Sequence, residues 1–532
     1  MLRLSSFLPS FPVLGLLVLP AALSAQERIW NGEQDRSRLG AAAAGVGDLD
    51  ADGLAEVAAG ATGYDGPAGS NSGRLYVWNG SDGSLRFVLE GEAAGDEFGA
   101  SVAAAGDVDG DGVPDLIVGA PLHDGPGGTD AGRACLFRGS DGAHLRCLDG
   151  EAAGDHFGYR VAGVGDVDGD GLDDVAVSAN EHDGPAGADA GRLYVFRGVD
   201  GALLLAFDGE AAGDTLGDAL AGLGDLTGDG RPEILAGASG HDGAGTNAGR
   251  AYVIEAASGA LHLVLDGEAS WDFFACAADN AGDLNCDGYA DLLIGAGTHD
   301  GPGGTDAGRA YVFDGLSGTL LYQWDGEAAG DNFGIDVAGA GDPDGDGFSD
   351  VLVGAFLHNG EAGRAYLYSG IDGSLARTFD GAAGDRLGLP VAGAGDVDGD
   401  GMDDLLAGLS LHDASGPDAG AVWLWSGSSG YLLTADDPVV GGQPVTLEVL
   451  GATPGAEQFL AYSCLGKGHF ESQLLGVTLA LNQPQLFGTA VADATGRASW
   501  TAVVPMRFQG IEFRAQVAET GRRTNVVRRV LQ

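Results

Sequence analysis

A nine-residue acidic element recurs seven times along the 532-residue chain, and no other feature constrains its fold as strongly. A representative copy, DVDGDGVPD, occupies Asp107–Asp115. Successive copies begin 59, 59, 59, 58, 59 and 54 residues apart, a regularity that chance does not produce. Self-similarity at a fixed period indicates a repeat architecture, so the prior of one domain per ~150 residues does not apply. The copies begin at Asp48, Asp107, Asp166, Asp225, Asp283, Asp342 and Asp396.

Each period carries the same four short apolar segments, separated by turn residues. In the second period they are Ser101–Ala105, Asp115–Ala120, Arg133–Arg138 and His144–Leu148, and no helical pattern of adequate length accompanies them. One four-stranded unit cannot bury both of its faces, whereas seven units arranged around an axis can. The sequence therefore predicts an all-β fold, a seven-bladed β-propeller.

Short motifs on either side of the acidic element give the repeat a family resemblance. Phe98–Gly99, the acidic element and Gly119–Pro121 together resemble the FG-GAP repeat of integrin α-subunit propellers, and Phe157–Gly158 begins another copy. The resemblance covers roughly residues 27–434. It implies a seven-bladed propeller whose acidic loops join the first and second strands of each blade. It also implies that ligands bind on the opposite face.

Closure of the ring is open to two interpretations. Arg28–Glu33 has the spacing of an outer strand that precedes the first blade, and we favour it as the strand that completes the last blade. The alternative is that Tyr431–Thr434 serves as that blade's own outer strand.

The acidic elements have the composition of calcium-binding loops. Acids at positions 1, 3, 5 and 9 supply hard oxygen ligands, glycine at position 6 permits a sharp bend, and the residue at position 7 offers its carbonyl. An EF-hand would instead place a glutamate at position 12, between helices. The predicted metal ligands are Asp48, Asp50, Asp52, Leu54, Glu56, Asp107, Asp109, Asp111, Val113, Asp115, Asp166, Asp168, Asp170, Leu172, Asp174, Asp225, Thr227, Asp229, Arg231, Glu233, Asp283, Asn285, Asp287, Tyr289, Asp291, Asp342, Asp344, Asp346, Phe348, Asp350, Asp396, Asp398, Asp400, Met402 and Asp404.

Two of the seven loops are weaker candidates. Thr227 and Asn285 replace the acid at position 3, although both still offer an oxygen. The competing interpretation is a set of solvated acidic turns, but four carboxylates within nine residues repel one another strongly without a cation. We expect up to seven Ca²⁺ ions in structural rather than catalytic roles.

The charge of the chain excludes two classes of partner. Its formal net charge is −52, from 78 acidic and 26 basic residues. Residues 26–434 alone hold 70 acidic and 17 basic side chains, and 26 of those acids occupy predicted ligand positions. Such a surface repels nucleic acids and anionic membranes, both of which need clustered lysine or arginine.

Segments outside the repeat predict export and a second domain. Residues 1–25 indicate a removable signal peptide, with Arg3 before the apolar run Val13–Leu19 and small residues up to Ala25. A membrane anchor is the alternative, but this run is too short to span a bilayer. We expect residues 26–434 to form the propeller, and residues 435–532, which contain several short strand-like segments, to form a small C-terminal β-sandwich.

Several other residues recur once per repeat, and we assign them structural roles. A ring of histidines suggests a transition-metal or catalytic site, but equivalent residues of seven blades lie too far apart to converge on one ion. Paired carboxylates such as Glu92 and Asp96 suggest glycosidase chemistry, although their repetition favours structure. We expect each histidine to bond a neighbouring loop and each arginine to join blades. These residues are His123, His182, His241, His299, His358 and His412, and Arg74, Arg133, Arg192, Arg250, Arg309 and Arg364.

The five cysteines allow two disulfides in an exported protein. Cys135 and Cys147 flank a turn almost symmetrically, and Cys276 and Cys286 bracket the start of the fifth acidic loop. Buried free thiols are the alternative for both pairs, and Cys464 is left over.

The leading functional hypothesis is a monomeric, secreted or cell-surface, calcium-binding propeller with no transmembrane segment after signal cleavage. It would bind a protein or glycan ligand in an adhesion-like role. The alternatives are a propeller-based glycan lyase or hydrolase and a structural surface-coat component. No nucleophile elbow, zinc motif or phosphate loop is present, so we expect no enzymatic activity. An enzyme site would show as a blade that departs from consensus, and the fifth departs most, at Ser270–Cys276.

Overall fold

The computed structural model describes residues 27–427, and beyond them only the bounds and pairing of strands between residues 432 and 530. Strands β1 to β28 form seven four-stranded antiparallel sheets, so the predicted all-β, seven-bladed β-propeller is confirmed. The segment interpreted as a signal peptide, residues 1–25, lies outside the described residues. Within the described part of the chain, no helix is long and apolar enough to cross a membrane.

Six blades take their four strands in sequence order, from the axis outwards. Blades 1 to 3 comprise β2 (Leu39–Gly47), β3 (Glu56–Ala61), β4 (Arg74–Trp78) and β5 (Leu85–Glu90); β6 (Ser101–Gly106), β7 (Asp115–Ala120), β8 (Arg133–Phe137) and β9 (His144–Asp149); and β10 (Val161–Gly165), β11 (Asp174–Ala179), β12 (Arg192–Phe196) and β13 (Leu203–Asp208). Blades 4 to 6 comprise β14 (Leu216–Gly224), β15 (Glu233–Ala238), β16 (Arg250–Glu255) and β17 (Leu261–Asp266); β18 (Ala277–Gly282), β19 (Asp291–Ala296), β20 (Arg309–Phe313) and β21 (Leu320–Asp325); and β22 (Val337–Gly341), β23 (Asp350–Ala355), helix α1 (His358–Glu361), β24 (Arg364–Tyr368) and β25 (Leu375–Asp380).

Blade 7 is completed by the N-terminal strand. Its order is β1-β28-β27-β26, with β1 (Arg28–Asn31) as the outer strand and β26 (Val391–Gly395), β27 (Asp404–Leu409) and β28 (Ala421–Trp425) inside it. Within this sheet Trp30 pairs with Val422. The favoured closure is therefore confirmed, and the alternative that used Tyr431–Thr434 is wrong.

Side-chain size decides which strand lies where in a blade. All six residues of every second strand are buried, consistent with their continuous apolar runs. The inner strands are rich in alanine and glycine, which lets each contact the inner strand of the next blade around the axis. The hydrophobic core lies between neighbouring blades: Leu49 and Leu75 of blade 1 pack with Leu116 and Val118 of blade 2.

The last segment of the chain contains further strands. In this segment β29 (Leu432–Ala435), the first strand after the propeller in the sequence, pairs with β30 (Pro444–Leu450) rather than with blade 7. Whether these sheets face one another as a β-sandwich stays a prediction, because their side chains lie outside the described residues. The later strands are β30 (Pro444–Leu450), β31 (Glu457–Ser463), β32 (Phe470–Ser472), β33 (Val477–Leu479), β34 (Gln485–Val491), β35 (Ala498–Val503), β36 (Glu512–Glu519), β37 (Arg522–Arg523) and β38 (Val527–Val530).

One of the two expected disulfides is present. Cys135 and Cys147 are directly opposed in the β8–β9 ladder and are joined, with their Cα atoms 4.0 Å apart. The pairing of Cys276 with Cys286 is wrong. Cys276 precedes the six-residue strand β18 and Cys286 follows it, so about 20 Å of extended chain separates them. Cys464 lies outside the described residues.

Candidate functional site

All seven acidic loops lie at equivalent places, between the first and second strands of a blade. A β-bulge ends each inner strand; in blade 2 the register shifts between Ala104 and Gly106. Gly112, at position 6 of the second loop, has φ +85°, and its six counterparts lie between +85° and +98°. Because only glycine adopts this conformation at no steric cost, the glycine at position 6 fixes the bend of the loop.

Within each loop the carboxylates first organise their own backbone. In the second loop, Asp107 Oδ2 accepts the N–H of Gly112 at 2.9 Å, and Asp107 Oδ1 accepts those at positions 4 and 5. Asp109 and Asp111 each accept the N–H two residues further along, at 3.1 and 2.9 Å. These bonds curl the loop so that its acidic side chains face a common centre.

In several loops the carboxylates converge closely enough to share a cation. An oxygen from each of three predicted ligands lies within 4.8 Å of the others. Oxygens of like charge at this separation repel, and a hard divalent cation relieves the repulsion while accepting six to eight oxygens. The donor set therefore fits Ca²⁺. The converging triplets are Asp48, Asp50 and Glu56; Asp107, Asp109 and Asp115; Asp166, Asp168 and Asp174; and Asp342, Asp344 and Asp346.

The acid at position 9 is the most constrained member of each loop, because it is also the first residue of a fully buried strand. All seven have no exposed surface. Burial, reinforced by neighbouring carboxylates, raises the pKa of Asp115 to about 6 and those of Asp291 and Asp404 to about 7. Asp350 Oδ2 is buried without a hydrogen-bond partner. Carboxylates held in this way are shielded from water, and a bound cation would balance their negative charge.

Sequence reasoning missed a set of arginines that hold position 3 in the first three loops. Arg86 Nη1 lies 2.8 Å from Asp50 Oδ2, and Arg138 Nε lies 2.8 Å from Asp109 Oδ2. Arg197 makes the same ion pair in blade 3. Arg138 and Arg197 each follow their loop start by 31 residues, directly after the third strand of their blade, so the repeat pattern marks both. Arg86 instead lies in β5, the outer strand of blade 1.

The two loops predicted to be weaker differ in their contacts at position 3. Thr227 Oγ1 lies 3.3 Å from Glu233 Oε1. Asn285 Nδ2 donates to Asp314 Oδ2 at 2.6 Å, and Asn285 Oδ1 accepts the N–H of Asp287. Both side chains remain in their loops, but each is already hydrogen-bonded to neighbouring groups.

The recurring histidines bond neighbouring loops as expected. His123 Nδ1 lies 2.9 Å from Asp96 Oδ2, which also accepts the N–H of Ala93. The pair joins the β7–β8 connection of blade 2 to the connection from blade 1, and both side chains are buried. The same pair forms with His182, His241, His299, His358 and His412.

The recurring arginines join blades through carboxylates on both sides. Arg309 lies 2.9 Å from Glu268 in the preceding inter-blade loop, and it also pairs with Asp325 at the end of its own outer strand. The arrangement repeats in the other blades that carry this arginine. The recurring Glu and Asp residues are thus engaged in structural contacts rather than paired for acid–base chemistry.

The propeller axis holds a cavity of about 420 Å³, lined by the seven inner strands. Three charged side chains stand among its alanines and glycines: Arg160, Asp279 and Asp336. Asp279 and Asp336 accept N–H groups of the following blade from Gly339 and Val391. Removal from bulk water raises the pKa of each carboxyl to about 6.

Comparison with known proteins gives matches to one repeat family and to several integrin α subunits. The FG-GAP repeat family matches four segments, residues 98–135, 157–196, 216–254 and 278–313. Integrin alpha-5 of Xenopus laevis is 32% identical over 220 residues, covering 38% of this chain. Integrin alpha-V of Gallus gallus is 32% identical over 224 residues, covering 39%, and integrin alpha-PS2 of Drosophila melanogaster is 35% identical over 220 residues, covering 37%.

The similarity is confined to part of these relatives. The matched region spans 20%, 21% and 15% of the three integrin subunits, so the chain spans about a fifth or less of the length of the curated relatives it matches. The four matched segments follow the order of the blades in the structure, from β6 in blade 2 to β20 in blade 5.

Proposed function

We propose, on the premise that this chain is an integrin-α-like FG-GAP repeat protein, that it is an exported, calcium-binding propeller with an adhesion-like role. In this role it binds a protein or glycan ligand at the cell surface or in the extracellular matrix. The convergence of carboxylate oxygens in the acidic loops carries the proposal. The integrin relatives support it, and the strongly acidic propeller argues against nucleic acids as partners.

The loop residues would hold Ca²⁺ through the side-chain oxygens at positions 1, 3, 5 and 9 and the carbonyl at position 7. The bound ion supplies charge neutralisation rather than chemistry. It lets buried acids such as Asp115 remain ionised beside Asp107 and Asp109, and so fixes the join between the first and second strands of each blade. Rigid joins on one face leave the loops of the other face in defined positions for a ligand.

The proposed function is tested by adhesion of the purified full-length chain to intact cells and to immobilised extracellular matrix. We expect attachment in 1 mM calcium, which is saturating for sites with Kd of about 10⁻⁴ M, and its loss in chelator. A variant with Asp107→Asn, Asp109→Asn and Asp111→Asn should need more calcium for the same attachment. Asp82→Asn, which removes an exposed acid of a tight turn, is the matched control. Attachment that is absent under all conditions, or indifferent to chelator, would contradict the proposal.

A further inference from the structure

The connection between blades 4 and 5 departs from its counterparts at a strained backbone position. In five other connections this position is glycine, with φ between +80° and +93°, and an added Cβ would meet no atom within 4 Å. Blade 5 places Trp271 there, at φ +70°. A bulky side chain in the left-handed region is an outlier, and such strain persists where it serves a purpose. The glycines are Gly95, Gly154, Gly213, Gly330 and Gly384.

Core packing does not explain this tryptophan. Trp271 is 57% exposed, the highest value among the large hydrophobic side chains that the structure describes as exposed. It lies on the face of the propeller opposite the acidic loops, because it belongs to an outer-to-inner strand connection. An exposed ring at a strained position is not part of the core, and tryptophan side chains of this kind are enriched at interaction surfaces.

Three further residues near Trp271 differ from the equivalent residues of the other blades. Phe273, with its ring centroid 6.1 Å from that of Trp271, stands where other blades have Glu97, His156, Thr215, Asn332 or Arg386. Ser270 replaces an alanine common to the other full-length connections, and Thr298 stands where other blades have leucine, glutamate or glycine. Thr298 Oγ1 donates to the carbonyl of Trp271 at 2.7 Å. Together the departures add two aromatic rings and two hydroxyl groups, and no charge.

The two charged side chains on the same connection as Trp271, Glu268 and Asp272, are already paired. Asp272 is buried against His299 Nδ1 at 3.0 Å and accepts the N–H of Ala269. Glu268 pairs with Arg309 at 2.9 Å. The patch is therefore neutral and amphipathic, on a domain whose overall acidity repels anionic ligands.

We propose that Trp271 and Phe273, with Ser270 and Thr298, form a binding patch for a neutral, pyranose-containing glycan. The apolar C–H face of a pyranose matches an exposed aromatic ring, and its hydroxyls match the neutral hydrogen-bonding groups beside that ring. A basic protein partner would instead find both acids of this connection, Asp272 and Glu268, already paired. The inference rests on the proposed function and narrows its ligand to a neutral carbohydrate.

The test titrates the full-length chain, in 1 mM calcium, with cellopentaose, maltopentaose, mannopentaose and chitopentaose, and with a sulfated oligosaccharide for comparison. At least one neutral oligosaccharide should bind, and Trp271→Gly should weaken its binding tenfold or more. Thr298→Leu, which restores the residue of blade 2, should weaken it about threefold. Arg36→Gly, the same loop position in blade 1 at φ +60°, is the matched control and should leave binding unchanged.

Stability separates loss of the patch from loss of the fold. Trp271→Gly restores the residue of five other blades, so the melting temperature should stay level or rise while binding falls. Three results would overturn the inference: no neutral oligosaccharide bound, wild-type affinity in Trp271→Gly, or preference for the sulfated compound. A chain that adheres to matrix in calcium but shows any of these leaves the proposed function standing and refutes only the glycan patch.

Discussion

At the scale of single residues, the acid at position 9 matters most, because it belongs both to the loop and to the core. Asp115 opens β7, is fully buried, and accepts N–H groups from Val108 and Gly139 at 3.0 Å each. It therefore ties the start of its own loop to the β8–β9 connection even before a cation is considered. In the same loop, Asp107 and Asp111 bond the local turn, and Asp109 also pairs with Arg138.

Asp115→Ala is expected to destabilise the protein in the presence of chelator as well as in calcium. The substitution leaves two buried N–H groups unpaired, at about 1–3 kcal/mol each. Denaturant unfolding in chelator should show a loss of about 2–6 kcal/mol. Asp111→Ala, an exposed acid of the same loop, should cost less than about 1 kcal/mol there. Equal losses for the two variants would contradict this assignment.

The raised pKa of Asp279 predicts the direction in which the stability of the protein changes with pH. Because its pKa is raised to about 6 in the folded protein, the folded state binds more protons than the unfolded chain between about pH 4 and 6. Stability contributed by the neutral carboxyl is present below pH 4 and is lost as pH rises through 6. Asp279→Asn should thus increase the free energy of unfolding at pH 7.5 by on the order of 1 kcal/mol, and so raise the melting temperature. At pH 4 the substitution should leave the melting temperature unchanged. A gain that is equal at both pH values would contradict the raised pKa.

At the scale of the element, the blades are held by two devices: paired side chains between neighbouring blades and one strand that closes the ring. The closing strand β1 supplies Trp30, whose ring stacks on Trp78 of blade 1 at a centroid distance of 4.9 Å. Trp30 Nε1 also donates to Gly83 O at 3.0 Å. The N-terminal strand thus binds both the last blade and the first.

Trp30→Ala is expected to weaken ring closure. Loss of the stacked ring and its hydrogen bond should lower the free energy of unfolding by about 2–4 kcal/mol. Ile29→Ala is the matched control, since Ile29 lies on the same strand but is 49% exposed. Thermal unfolding of both variants in calcium distinguishes them, and equal melting temperatures would show that β1 does not close the ring through Trp30.

Elements that repeat were predictable from the sequence, and elements that join repeats were less so. The period and the four strands of each blade follow from seven copies of one pattern, and the resemblance to FG-GAP repeats implied that Asp107–Asp115 joins the first and second strands. The Cys276–Cys286 pairing failed because proximity along the chain was weighed without the strand β18 between them. Arg86 was missed because its contact with Asp50 spans 36 residues, and no local pattern in the sequence marks it.

At the scale of the whole molecule, the net charge of the propeller depends on how many metal ions it binds. The propeller carries 70 acidic and 17 basic side chains, and 26 of the acids occupy predicted ligand positions. Seven bound Ca²⁺ ions would return 14 positive charges to a domain of net charge −53. The net charge would then be about −39, so bound calcium relieves part of the self-repulsion of the free chain.

Calcium removal is accordingly expected to lower stability substantially. At about 1 mM calcium and a Kd of about 10⁻⁴ M, each site contributes roughly 1.4 kcal/mol. Seven sites then contribute on the order of 10 kcal/mol, comparable to the stability of a whole domain. Calorimetry should show a large fall in melting temperature when calcium is replaced by chelator. A sample in magnesium at equal ionic strength is the control and should not show this fall.

The most direct test of the central claim is a count of calcium bound per chain, by equilibrium dialysis of the full-length protein with radioactive calcium. We expect saturation between five and seven ions, because five loops carry four acids at the ligand positions and two, with Thr227 and Asn285, carry three. Replacing the acids at positions 1, 3 and 5 of one loop by asparagine should lower the count by one. Saturation at one ion or none would contradict the calcium-propeller account.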